Sequence, residues 1–223
     1  MIALEGLTKS YRTKSGRHYV FRDLSLTLPE DKSIGIIGRN GAGKSTLLRI
    51  IGGIDKPDSG KIITAKSISW PVGLSGGFQG SMTGRENVKF VTRLYAHEAD
   101  IPAKVAYVES FAEIGKYFDM PVKTYSSGMR SRLAFGLSMA FDFDYYLIDE
   151  ITAVGDATFQ QKSAEVMKQK RAKANFLLVS HATAIIKKFC DLVLHLGRTG
   201  AHLYENVDEA LKAYQKDEAT HAS

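Results

Sequence analysis

Apolar residues alternate or are β-branched in three early stretches, Ile2 to Leu7, Tyr19 to Phe21 and Leu24 to Leu28, which predicts strands at those places. A turn at Pro29-Glu30-Asp31-Lys32 leads into Ser33-Ile34-Gly35-Ile36-Ile37, apolar on both faces like a strand buried in a parallel sheet. From Ser45 the spacing turns helical through Leu47, Leu48, Ile50 and Ile51, and Pro57-Asp58-Ser59-Gly60 supplies a turn before Lys61-Ile62-Ile63. The middle third, about 83–141, reads as helices. Thr83-x-x-Glu86 is a capping-box signature, Val88, Val91, Leu94 and Tyr95 form an apolar face, and Met129 to Ala140 is a further helix. Phe143 to Ile148 and Phe176 to Val179 return to buried-strand composition, the second as the last core strand. Tyr204 to Ser223 reads as a short polar helix. Such alternation predicts an α/β domain with a mostly parallel sheet and the middle helices as an inserted lobe. Without repeats or a linker, residues 1–223 form one domain, with a lobe at about 83–141 and a tail at about 200–223.

Composition narrows the setting. A hydrophobic content of 44% over 223 residues suits a sizeable core. The formal charge of +6 is modest and spread along the chain, so it reads as solvated surface and nucleic acid is not expected as a partner. One cysteine, Cys190, cannot form an internal disulfide, which fits a reducing compartment, and its neighbours Phe189 and Leu192 predict a buried thiol. Met1 to Glu5 lacks the features of a signal peptide and no stretch is long enough to span a bilayer. The expectation is a cytosolic protein that relies on other chains for any membrane passage.

The strongest chemical signal is Gly38-Arg39-Asn40-Gly41-Ala42-Gly43-Lys44-Ser45, followed by Thr46, between a predicted strand and a predicted helix. Glycines let successive amide N–H groups face inward, the helix start adds positive potential, and Lys44 brings a mobile charge. Together they suit the β- and γ-phosphates of a nucleotide, and the Ser45 hydroxyl suits Mg²⁺. The second signal is Tyr145-Tyr146-Leu147-Ile148-Asp149-Glu150, a strand that delivers two carboxylates at its carboxyl end, where open α/β sheets place ligands. Asp149 is expected to hold Mg²⁺ and Glu150 to polarise the attacking water.

In order along the chain these motifs resemble those of ABC ATPases. The resemblance implies an α/β P-loop NTPase with a mostly parallel core sheet, an N-terminal antiparallel β subdomain and an inserted helical subdomain. It implies ATP and Mg²⁺ as cofactors and a homodimer working with a membrane-spanning permease subunit. Gln79, in Gly77-Phe78-Gln79-Gly80, matches the family glutamine that touches the metal or water. Tyr125-Ser126-Ser127-Gly128-Met129 stands where the family carries LSGGQ; Ser126 and Gly128 match, while Ser127 replaces the first glycine and Met129 the glutamine. A small-residue turn opening a helix still offers N–H groups and a hydroxyl to a phosphate, which in the family belongs to ATP held by the other subunit. His181, after Val179-Ser180, matches the switch histidine set against the γ-phosphate, and Asp156 matches the loop that crosses between subunits. Tyr11 stands where the family stacks an aromatic on adenine, with His18 and Tyr19 as rivals.

Outside these motifs, Asp55 to Ile62, Ile68 to Leu74, Gly84 to Val88 and Tyr117 to Arg132 resemble the ATP-binding subunits of bacterial capsular polysaccharide exporters. That implies an ATPase at the cytoplasmic face of the inner membrane, peripheral, with polysaccharide as the cargo of the whole complex. Some twenty-five residues follow Leu196, too few for the carbohydrate-binding domain that related O-antigen exporters often carry. Alternatives stay open at this point: export of another cargo such as O-antigen, a teichoic polymer or a drug, a soluble ABC ATPase, or a P-loop kinase, which has no need of Ser126-Ser127-Gly128 or His181.

Overall fold

Strand β1 (Ile2–Thr13) lies between β2 (Gly16–Leu28) and β4 (Ser59–Thr64), antiparallel to both. The computed structural model describes residues 1–14, 16–73, 75–149, 156–197 and 200–219. The two stretches predicted at Tyr19 to Phe21 and Leu24 to Leu28 are one strand. Asp23 bulges between them with φ of 53°, its N–H donating to Thr8 Oγ1 at 3.1 Å, so the pairing with β1 continues past the irregularity.

A second sheet has the order β5-β6-β7-β3-β8-β9, made of β5 (Ile68–Pro71), β6 (Tyr145–Asp149), β7 (Asn175–Val179), β3 (Ile34–Gly38), β8 (Leu192–Gly197) and β9 (Gly200–Tyr204). All neighbours run parallel except β8 and β9. The expectation that Phe176 to Val179 ends the core is corrected here, since β8 pairs with β3 along its whole length and β9 follows. Buried Ser33 aligns three strand starts. Its Oγ accepts the Phe176 N–H at 2.9 Å, and its own N–H donates to Asp191 Oδ2 at 2.7 Å. Helix α1 (Lys44–Ile51) covers the sheet with Leu47 and Leu48, both fully buried, each worth about 1.5–3 kcal/mol of transfer free energy. Helices α6 (Thr183–Phe189) and α7 (Val207–Ala219) complete this unit, which comprises Met1–Pro71, Phe143–Ile151 and Lys170–Ser223. Cys190 is buried in it, and desolvation pushes its thiol up to about 12.

The second unit comprises Val72–Asp142 and Thr152–Gln169. Its helices are α2 (Gly84–Tyr95), α3 (Ile101–Ala112), α4 (Ser127–Met139) and most of α5 (Ala157–Arg171). Phe111 is the hub, stacked on Phe135 with ring centroids 5.7 Å apart and edge-on to Phe159 at 5.4 Å. The capping box is present: Thr83 Oγ1 accepts the Glu86 N–H, and the Glu86 carboxylate accepts the Thr83 N–H. The predicted apolar face of α2 is corrected. Val88 is fully buried together with Asn87 and Thr92, whereas Leu94 and Tyr95 turn outward, 65% and 56% exposed. The buried set of α2 is Gly84, Asn87, Val88 and Thr92, and the hydrogen bonds of its polar members Asn87 and Thr92 are met within the lobe, so hydrophobicity alone misplaced the face. Among the described residues no helix is long and apolar enough to cross a membrane.

Candidate active site

The phosphate loop leaves β3 at a strand flanked on both sides, and Gly43 forms the N-cap of α1. No side chain caps that helix and no acidic residue lies in its first turn, so its amide N–H groups and positive potential are left to an external anion. Gly43 has φ of 94°, and a Cβ there would lie 2.3 Å from Val20 Cγ1 and 2.6 Å from Phe21 Cζ. The loop is therefore seated on the β2 side chains Val20 and Phe21, which the sequence pattern did not single out. Asn40 and Gly41 are exposed at its crest, Arg39 and Ala42 are half-buried, and Thr46 is buried under it. Buried Lys44 donates from Nζ to the carbonyls of Gly38 and Arg39, at 2.6 and 2.9 Å, which folds the ammonium back over the loop.

Ser45 Oγ donates to Asp149 Oδ1 at 3.0 Å, across 104 residues of sequence. The two expected metal ligands of this unit thus meet at the carboxyl end of β6, and their oxygens suit a hard cation. Glu150 lies outside the described residues. His181 follows β7 and is exposed, and it lines a small cavity together with Gly38, so the histidine and the start of the phosphate loop face one space.

Tyr11 is 38% exposed, and its hydroxyl donates to Asp55 Oδ2 at 2.8 Å. Buried Lys9 donates to Asp55 Oδ1 at 2.6 Å and to the Lys56 carbonyl at 2.7 Å, with its ammonium 5.0 Å from the Tyr11 ring centroid. The hydrogen bond with Lys9 holds the Asp55 carboxyl below its ordinary range, and the same bond raises Lys9. Of the three rival aromatics, Tyr11 is pinned by a hydrogen bond from its hydroxyl, and Tyr19 stacks under Arg22 at 3.9 Å. His18 sits directly across the hairpin from Tyr11.

In the second unit Gln79 is exposed, and its backbone is fixed by buried Asn87. Asn87 Oδ1 accepts the Gln79 N–H at 2.8 Å, and Nδ2 donates to the Gln79 carbonyl at 3.1 Å. Ser126 is the N-cap of α4, its Oγ accepting the Met129 N–H at 3.2 Å. The helix starts at Ser127, two residues earlier than the expected Met129, and a Cβ on Gly128 would meet no described atom closer than 3.9 Å. Asp156 accepts the Phe159 N–H on Oδ1 at 3.0 Å, which more than any other contact keeps its carboxyl low. Its Oδ2 accepts from Arg132 at 2.8 Å. Arg132 also lies 4.5 Å over the Phe159 ring, so this arginine links the serine-glycine helix to the Asp156 turn.

A family model described as ABC transporter matches residues 21–153. The chain is 62% identical to the polysialic acid transport ATP-binding protein KpsT of Escherichia coli over 216 residues, 96% of each chain. It is 45% identical to the capsule polysaccharide export ATP-binding protein CtrD of Neisseria meningitidis serogroup B over 96% of this chain and 98% of that one. In fold it is similar to a dimeric ATP-binding cassette in a post-hydrolysis state bound to ADP and Pi, with a TM-score of 0.70 at 21% identity, over 87% of this chain and 94% of that one.

Proposed function

We propose, given that this chain belongs to the ABC transporter family, that its ATP hydrolysis powers export of a capsular polysaccharide through a separate membrane-spanning subunit. The observation that carries the cargo is end-to-end likeness, at 62% and 45% identity, to proteins named for polysialic acid transport and capsule polysaccharide export. Teichoic acid and O-antigen exporters also match, but at 34–43% identity and over smaller shares of their own length. The chain works as a homodimer, peripheral on the cytoplasmic face of the bacterial inner membrane.

The roles follow from the chemistry of the residues. The backbone of Gly38 to Ser45 and the Lys44 ammonium hold the β- and γ-phosphates, and exchange of the Gly38 and Arg39 carbonyls for phosphate oxygens swings Lys44 into the site. Ser45, Asp149 and Gln79 are the residues that would hold Mg²⁺, and the Ser45 to Asp149 contact supports that pairing. Bound Mg²⁺ supplies positive charge against the phosphate oxygens. Glu150 polarises the attacking water, and His181 contacts the γ-phosphate. Tyr11 stacks on adenine. ATP on one copy is covered by Ser126, Ser127 and Gly128 of the second copy, with Asp156 on the crossing loop. Contacts to the γ-phosphate exist before hydrolysis and not after, so closure and opening of the pair are biased in turn and can rock an attached permease.

Deleting the gene tests the cargo: polymer is expected to accumulate inside the cell, and normal surface polymer in the deletion strain would refute capsule export. Glu150→Gln tests the chemistry, with ATP binding retained and turnover lost; near-normal hydrolysis would remove Glu150 from its role.

A further inference from the structure

We propose that Tyr214, carried by α7, is a positioning residue for His181, so that the helix after the core sheet sets the reactivity of the site. The inference rests on the reading of His181 as the γ-phosphate contact. One cavity is lined by Ile37 and Gly38 at the end of β3, by Ser180 and His181 after β7, and by Leu211 and Tyr214 of α7. The helix thus supplies a wall of the space that His181 and the phosphate loop face.

Two ties hold that wall in place on either side of Tyr214. Near the start of α7, Asp208 pairs with Lys187 of α6, the helix that follows His181 directly. Near its end, Asp217 Oδ2 lies 3.6 Å from His195 Nε2 of β8, both atoms buried with no hydrogen-bond partner among the described residues. Tyr214 itself meets the His195 ring edge-on, centroids 5.9 Å apart. Burial holds the His195 imidazole below its ordinary value, with the Asp217 carboxylate opposing that shift. Ala210 and Leu211 are buried at the middle of the helix. The segment Ser180-His181-Ala182 therefore joins β7 to α6, which the Lys187 to Asp208 ion pair links to α7. The His181 imidazole is exposed, and it shares its cavity with the Tyr214 side chain.

The test uses the full chain with Tyr214→Ala, Tyr214→Phe, Leu211→Ala and His181→Ala, and reads both the imidazole carbon–proton resonances and the kinetics of ATP hydrolysis. Tyr214→Ala is expected to move the His181 resonance, to leave that of His18 in place, and to lower kcat about five- to tenfold with KM for ATP little changed. Tyr214→Phe keeps the ring and is expected to stay near wild type in both readouts. Leu211→Ala opens the same cavity from the same helix and reproduces the pattern should Tyr214→Ala fail to fold. An unmoved His181 resonance, or a fall in activity carried by KM alone, overturns the proposal. Unchanged turnover in His181→Ala overturns the underlying role of the histidine, and the proposal with it, even where its resonance responds to Tyr214.

Discussion

Gly41 and Gly43 stand two residues apart on one loop with similar left-handed backbones, φ 83° and 94°, yet alanine should affect them in different ways. At either position the added Cβ costs about 1–2 kcal/mol for a conformation that L residues avoid. At Gly41 nothing lies within 4 Å of the new atom. At Gly43 it would fall 2.3 Å from Val20 Cγ1 and 2.6 and 2.8 Å from two carbons of the Phe21 ring, which is only 8% exposed and has no room to swing. Such overpacking adds about 1–3 kcal/mol. The difference between the variants, about 2 kcal/mol, corresponds to about 4–8 °C in Tm for a domain of this size. Thermal unfolding of the nucleotide-free chain measures it, with Gly43→Ala the lower. Calorimetric titration should show the complementary defect: the Gly41 Cβ meets no described atom within 4 Å, so the fold is spared the overpacking while the proposed phosphate loop is altered and ATP binding weakens. Equal Tm values for the two variants would refute the claim that the loop is seated on Val20 and Phe21.

Lys44→Ala removes the charge that the phosphates need, and calorimetry with ATP should register no binding; wild-type affinity would contradict the loop assignment. Asp55→Asn should lower Tm by an amount that is constant at neutral pH. Because the folded Asp55 carboxyl is held below its unfolded value, its contribution is complete above that unfolded value, about pH 4, and fades as pH falls through the folded one. The Tm gap between wild type and Asp55→Asn should therefore close in acid, and a gap that persists at low pH would count against the Lys9 to Asp55 pair as its source. The same variant leaves one acceptor oxygen for the two donors Lys9 and Tyr11, loosening the hold on Tyr11, and should weaken ATP binding about threefold, a loss of less than 1 kcal/mol. Arg132→Ala should lower turnover about tenfold while leaving ATP affinity near wild type. Arg132→Lys should not restore it, because an ammonium cannot bond Asp156 and lie flat on Phe159 together. Full activity in Arg132→Lys would show that charge alone suffices.

What could be read from the sequence was the chemistry carried by the backbone. A phosphate loop works through N–H groups, so it leaves glycines at fixed spacing between a strand and a helix, and both flanking elements keep their own periodicity. Ser33 to Ile37 is apolar on both faces because β3 is covered by strands β7 and β8 on its edges and helices on its faces, and that pattern survives in one dimension. β8 was missed for the opposite reason: His195 interrupts its apolar run, and only the structure reveals that this imidazole is buried against Tyr214 and Asp217. Helix α2 misled in a related way, with Asn87 buried and Leu94 exposed because the Asn87 side chain bonds four backbone groups and the Leu94 side chain can bond none.

Two of the three long-range positioning contacts escaped a sequence reading, and the cause is distance along the chain. Tyr11 meets Asp55 across 44 residues, Ser45 meets Asp149 across 104, and Arg132 reaches Asp156 across 24. Spacing rules cover one or two turns of helix or a strand pair, and none of these separations falls within them. The Ser45 to Asp149 pair could still be anticipated, because both ends belong to motifs whose ligand is shared. Tyr11 to Asp55 and Arg132 to Asp156 join a motif residue to one that lies in a stretch of family resemblance with no role attached, so no spacing rule assigns Asp55 or Arg132 to its partner. A residue that touches ligand through the backbone is visible in sequence, whereas one that holds another side chain becomes visible only when the fold closes the distance between them. On that argument, residues that position others, as proposed for Tyr214 and His181, lie behind a proposed ligand contact rather than beside it.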